Sequence, residues 1–142
     1  MGHLAKGSIA QQIGTLFEGG SVAGLSDRQL LERFNARRGA AGEAAFAALV
    51  ARHGPMVLGV CRQILADGHL AEDAFQATFL VLARKARSIR DSDRLGNWLY
   101  GVALRTARGA RLRLARRRER EEIDTMIRSG SNAQVAPASS DR

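Results

Sequence analysis

Residues 71–79 read AEDAFQATF, and the spacing of their apolar side chains decides the fold. Ala71, Phe75 and Phe79 recur every fourth residue, the period of a helix face, and no two-residue alternation competes with it. Continuing at 3.6 residues per turn, Thr78, Leu82 and Ala86 join the same arc, which is expected to face a core. His69, Glu72, Asp73, Gln76 and Leu80 fall on another arc. Two readings of that second arc stay open. It is either a solvated face, with acids placed favourably near a helix N-terminus, or a surface for an Arg-rich partner helix. Periodicity does not separate them.

Working outward, the same helical reading holds nearly everywhere. The 142 residues are rich in Ala, Leu and Arg and contain two prolines, a composition that favours helix over strand. GLSDRQLLERF begins with a start signal: Ser26 as N-cap, Asp27 in the first turn, then Leu30, Leu31 and Phe34. A second helix is expected from about Glu43 to Ala66, with Phe46, Leu49, Val50, Val57, Val60, Cys61, Ile64 and Leu65 on one face. Gly54-Pro55 should kink or divide it, because proline lacks an N–H and crowds the preceding turn. Asp67-Gly68 marks its end. A third helix covers about Leu70 to Arg87. A fourth starts near Leu95 after a loop, with Asp93 or Ser92 as candidate cap, and its part over 115–128 is expected to fray. The expectation is an all-α fold, a compact bundle of three to four helices over 25–115. A flexible leader (1–24) precedes it, and a basic helix extension with a disordered tail (116–142) follows.

Charge divides the chain. The formal net charge of +8 comes from 22 Lys and Arg against 14 Asp and Glu. Residues 1–83 are neutral, with seven of each sign; 84–120 carry thirteen basic and three acidic residues; 121–142 carry two basic and four acidic. The positive field thus belongs to one segment, the footprint expected of a polyanion-binding surface. On the fourth helix Leu99, Val102, Ala103, Thr106, Ala110 and Leu114 share one side. Arg105, Arg108 and Arg111 lie across from it, and Arg116, Arg117, Arg118 and Arg120 extend the charge. Few acids are interspersed to pair with these arginines, so they repel one another unless phosphates lie against them. Trp98 and Tyr100 start this helix beside the loop 88–94. Trp98 is equally a core anchor and an aromatic able to stack on an unpaired base.

Other classes find little support. His3, His53 and His69 are scattered, one cysteine is present, and no metal-ligand spacing, P-loop or dinucleotide fingerprint appears, so neither an enzyme nor a cofactor is expected. Cys61, in MVLGVC, reads as a buried packing thiol. The start, MGHLAKGS, lacks the apolar core of a secretion signal and does not fit a myristoylation pattern. Apolar runs such as FLVLA are too short to span a membrane. A cytoplasmic, reducing setting is expected.

Several segments together, LLERF, EAAFAALVARHGPMVLGVCRQILADGHLAEDAFQATFLVLARKARSI and RLGNWLYGVALRTARGARLR, resemble region 2 of bacterial extracytoplasmic-function (ECF) sigma factors of the sigma-70 family. The wording is similar to the variants of planctomycete-type bacteria. The resemblance implies a module of transcription initiation that binds the β′ coiled-coil of core RNA polymerase and reads and opens the promoter −10 element. Carried over, it places Glu72, Asp73 and Gln76, with Leu80 beside them, at the polymerase contact. It places the loop 88–94, with Ser88, Arg90, Asp91 and Arg94, around a base flipped from the non-template strand. Asn97, Trp98, Tyr100, Arg105 and Arg108, with Arg111 from the charge pattern, then meet the −10 DNA. It implies a protein found at the nucleoid when bound to polymerase, with an anti-sigma factor as a further candidate partner. Two departures stand out. Arg105 and Gly109 replace the Asn and the acid frequent in the family, so promoter preference is not transferable. The second helical domain, region 4, is not seen after Arg120. A nonspecific nucleic-acid-binding helical protein, or a shortened protein that only titrates polymerase or an anti-sigma factor, are the alternatives.

Overall fold

The computed structural model describes residues 22–36 and 39–135. After a short 3-10 turn at Val22–Gly24, four helices follow: α1 (Asp27–Ala36), α2 (Ala40–Ile64), α3 (Gly68–Lys85) and α4 (Leu95–Val135). Two further 3-10 turns, Ala86–Ser88 and Ser92–Arg94, bridge α3 to α4. No strand occurs among the described residues, so the expected all-α bundle is what the chain forms.

Local chemistry explains the boundaries. At the start of α1, Ser26 Oγ accepts from the Gln29 backbone N–H at 3.2 Å, and Gln29 Oε1 accepts from the Ser26 N–H at 2.8 Å. This reciprocal pair is a capping box, which satisfies two otherwise orphaned donors. Gly39 precedes α2 with φ of 87°, a left-handed conformation that a residue without Cβ adopts at little cost. Asp67 is better described as the beginning of α3 than as the end of α2. Its side chain accepts from the His69 and Leu70 amides at 2.8 and 3.2 Å.

Helix α2 is the central stave, packing against α1, α3 and α4, while α3 and α4 also pack on each other. Leu30, Leu49, Val57, Cys61, Leu82, Leu95 and Leu99 are fully buried between them. A line of rings crosses the bundle: Phe34 to Phe46 at 5.0 Å, Phe46 to Phe79 at 6.5 Å, and Phe79 to Phe75 at 5.1 Å between centroids. These tilted and edge-to-face contacts tie α1, α2 and α3 together. Phe75 in turn lies against Gly54, where an added Cβ would meet the ring at 3.6 Å. The one buried polar side chain among the described residues, Thr78, donates its hydroxyl to the Ala74 carbonyl at 2.8 Å and so brings no unpaired group into the core.

Several expectations are corrected. Of the two alternatives at Gly54-Pro55, division is excluded, because α2 runs unbroken from Ala40 to Ile64. The ring is exposed, and so is Ala51, whose carbonyl loses its helical donor to Pro55 on the water-facing side of the helix. Val22, assigned to the leader, is buried in the core; residues 1–21 lie outside the described residues. Helix α4 extends through 115–128 and on to Val135. Once nucleated, a helix propagates at little cost per residue through a stretch free of proline. The remainder of the tail, 136–142, lies outside the described residues. Helix α2 is also longer and more apolar than the short runs suggested. By length and composition alone it could cross a membrane, yet its seven core residues from Gly42 to Cys61 are buried by the other helices.

Replacing Leu49, wholly buried on α2, with Ala is expected to destabilise the bundle by about 2–5 kcal/mol in urea unfolding, the sum of lost transfer energy and residual cavity. Burial also raises the Cys61 thiol pKa above its ordinary value. Because the folded thiol then holds its proton longer than the unfolded one, stability is full below the ordinary thiol pKa. It falls as pH rises from there through the raised value. Alkylation of Cys61 at mildly alkaline pH should therefore be slow in the native protein and fast in urea.

Candidate polymerase-facing and DNA-facing surfaces

The outer arc of α3 is what the periodicity marked out. Glu72, Asp73, Gln76 and Leu80 are all exposed, Leu80 to 57%. An apolar side chain that open to water beside two carboxylates and an amide makes a mixed patch of the kind found at protein interfaces. Asp73 does not simply look outward. It sits on the rim of a groove of about 400 Å³ between α3 and α4, whose floor includes Leu70, Ala74, Ala77, Ala110 and Leu114 and whose far rim carries Arg113 and Arg117. Thr106, Ala110 and Leu114, on the same side of α4 as Leu99 and Ala103, are only half-buried because they line this groove. The groove went unnoticed in the sequence because alanines on the two facing helices leave the space open, and alanine at helical spacing reads as close packing.

The second surface begins in the bridge from α3 to α4. The Ser88 hydroxyl donates to the Lys85 carbonyl at 2.8 Å, which tightens the last turn of α3. Arg90, Asp91 and Arg94 are exposed, and Arg94 reaches Asp91 at 3.5 Å, a loose surface pair that leaves both groups hydrated. The turn closes through the Arg94 amide, which donates to the Asp91 carbonyl at 3.1 Å. On the first turns of α4, Asn97 and Tyr100 are exposed while Trp98 is half-buried and packs against the core. One part of the indole is therefore an anchor in the core, and the other faces solvent. Arg105, Arg108 and Arg111 are exposed along α4. The Arg105 guanidinium lies back over Gly101, within 3.5 Å of where a Cβ would stand. The bundle thus holds the bridge 88–94, the aromatics and the arginine row on one continuous stretch of chain.

A partly buried polar tie that the sequence did not disclose positions that stretch. Asp27, in the first turn of α1, accepts from Arg52 at 2.9 Å and contacts His53 Nε2 at 2.9 and 3.0 Å through its two oxygens. Arg52 also donates to the Leu25 carbonyl at 2.7 Å. The other side of the His53 ring lies against Gly96, at 3.6 Å from a notional Cβ. His53 therefore spaces the start of α4 from the start of α1. Near the other end of α1, Asn35 donates to the Ala86 carbonyl at 3.2 Å and fixes the exit from α3. His53 looked like an isolated ring in the sequence because its partners lie 26 and 43 residues away, from Asp27 and to Gly96. No group of three or more His, Cys, Asp or Glu side chains converges as a metal site would require among the described residues.

Fold and surfaces together define an all-helical module that displays an acidic patch and an arginine row on neighbouring helices. Residues 49–121 match sigma-70 region 2, and the chain belongs to that family. It is similar to the RNA polymerase sigma factor CarQ of Myxococcus xanthus, with 36% identity over 111 residues, covering 78% of this chain and 60% of that relative. The chain therefore spans about three-fifths of the length of that protein. No solved structure gives a significant match.

If the arginine row contacts phosphates, changing Arg105, Arg108 and Arg111 to Gln should weaken binding to DNA of any sequence. The slope of log affinity against log salt should fall by about 1 per arginine removed. Fluorescence anisotropy across a salt series measures this, and circular dichroism should show the helicity unchanged because all three side chains are exposed.

Proposed function

We propose that this protein is an RNA polymerase sigma factor module of the ECF type, which joins core polymerase to the promoter −10 element and helps open it. Glu72, Asp73, Gln76 and Leu80 on α3 meet the β′ coiled-coil. Ser88, Arg90, Asp91 and Arg94 in the bridge form the cradle for a base extruded from the non-template strand. Asn97, Trp98, Tyr100, Arg105, Arg108 and Arg111 line the DNA. The unit that does this spans 25–115, with Val22 added to its core, and works in the cytoplasm without a catalytic step or a cofactor. An anti-sigma factor is its candidate regulatory partner, and when bound to polymerase it resides with the nucleoid.

The observation that carries this reading is the segregation of charge on the family's fold. An exposed acidic patch occupies α3, and the arginines stand on the next helix, where a protein and a polyanion can bind at once without competing. The chemistry of opening fits the bridge. Extruding a base costs a few kcal/mol of pairing and stacking, which aromatic stacking on Tyr100 and the exposed edge of Trp98, together with arginine–phosphate contacts, offset. Promoter preference follows Arg105 and Gly109 as they stand here and is not inherited from relatives.

Pull-down with core polymerase tests the assignment. The double change Glu72→Lys and Asp73→Lys should weaken capture at least about tenfold, since it sets like charges against the partner, while leaving DNA affinity unreduced. Full capture by the variant would mean that α3 is not the polymerase face. The nonspecific-binding alternative predicts no capture of core polymerase by either protein.

A further inference from the structure

Helix α4 outruns the bundle. Its apolar residues beyond the core are open to water: Leu112 is 51% exposed, Ile123 48%, Met126 70% and Ile127 64%. At 100° per residue, Leu112, Glu119, Ile123, Met126 and Gly130 follow one line along the helix, with Ile127 beside it. That line continues the row begun by Arg105 and Arg108. It lies on the side of α4 opposite Leu99, Ala103 and Ala107, which are buried in the bundle. No other described element covers it. Three large apolar side chains within five residues, on a helix that is otherwise highly charged, are a contact surface in waiting.

The charge order along the same helix indicates what covers it. Between 105 and 118 there are seven arginines and no acid, whereas 119–124 hold Glu119, Glu121, Glu122 and Asp124 with Arg120 alone among them. A second copy laid parallel would set arginines on arginines. Laid antiparallel, it sets each basic half on the other's acidic half. We propose that this face of α4 pairs with the same face of a second copy, antiparallel, in a two-fold symmetric dimer. An axis passing between Arg117 and Arg118 puts Leu112 against the second copy's Ile123, Arg116 against its Glu119, and Gly109 beneath its Met126. Arg111 then comes within reach of Glu122 on the flank. Leu112 and Ile123 are eleven residues apart, about 16 Å along the helix, so both apolar contacts form together at either side of the central ion pairs. The bundles sit on the outer sides of the paired helices and do not obstruct the approach.

The dimer covers Arg105, Arg108 and Arg111. On the reading given under Proposed function, self-pairing therefore withholds the DNA-facing row: Arg105 and Arg108 lie opposite the second copy's Gly130 and Ile127, and its Glu122 takes the place of a phosphate beside Arg111. The free protein at high concentration is then the closed form, and DNA competes with the second copy.

Sedimentation velocity of the full 142-residue chain over a concentration series tests the pairing. A reversible monomer–dimer equilibrium is expected, abolished by Ile123→Glu with Met126→Glu at unchanged helicity. A monomer up to the highest soluble concentration overturns the proposal. Direction is read by disulfide trapping, which the buried Cys61 does not join. The double variant Leu112→Cys with Ile123→Cys should cross-link efficiently under mild oxidation, and either single variant should not. Ready cross-linking of Ile123→Cys alone would show parallel pairing and overturn the antiparallel register. Adding a short duplex should convert dimer into monomer–DNA complex. If the dimer binds duplex without dissociating, the occlusion is wrong, although the pairing itself stands on the first two measurements.

Discussion

The packing of α2 against all three other helices is the constraint on which everything else depends. Without it, α3 has no reason to turn its phenylalanines inward and its carboxylates outward. The line of rings from Phe34 through Phe46 and Phe79 to Phe75 sets how closely α1, α2 and α3 approach. Gly54 allows the last ring to lie on the α2 backbone, and Pro55 next to it is tolerated because it faces water. A Cβ at Gly54 would make ordinary contact with the ring at 3.6 Å, so a side chain longer than alanine's is what would have to push Phe75 aside. The acidic patch would then lose its relation to the arginines of α4. The position of the proposed recognition surfaces is thus a consequence of core packing, and the surfaces themselves add little to stability.

Charge is organised with the same economy. The bundle is close to neutral where its helices cross, and the positive field is held on the stretch that leaves it. Repulsion among exposed arginines along α4 is a standing cost that any polyanion relieves. A molecule built this way binds its polyanion strongly only while that row is open. The acidic block that follows on the same helix offers a second means of relief within the protein's own chemistry. The length of α4 beyond the bundle, which contributes nothing to the core, has a use on this account.

Most of the fold could be read in the sequence because the helices are amphipathic and their apolar faces keep strict period. Leu99, Ala103 and Leu82 are where the pattern places them, and so are the exposed Glu72, Gln76 and Leu80. What escaped were features that depend on distant partners or on the absence of side-chain volume. The tie of Asp27 to Arg52 and His53 joins residues about twenty-five positions apart, and no local pattern announces it. The groove beside Asp73 exists because alanines are too small to fill it. The run of α4 to Val135 was missed because weak propensity at Ser129, Gly130 and Ser131 reads as an ending, whereas a helix already in progress crosses such positions at a cost of about 1 kcal/mol at the glycine and less at each serine. Membership of the sigma-70 region 2 family rests on the match over 49–121, and the resemblance of the quoted segments pointed to it. The acidic and basic residues proposed for recognition are exposed.

One compact bundle is proposed to engage polymerase and DNA through separate faces at the same time. Carboxylate footprinting of the full chain by carbodiimide labelling, read residue by residue in a mass spectrometer, addresses it most directly. With core polymerase alone, Glu72 and Asp73 should lose reactivity while Asp91 and Asp93 keep theirs. When −10 DNA is added to the complex, Asp91 and Asp93 should become protected in turn, with Glu72 and Asp73 still covered. Full reactivity of Glu72 and Asp73 in the presence of saturating core polymerase would contradict the account.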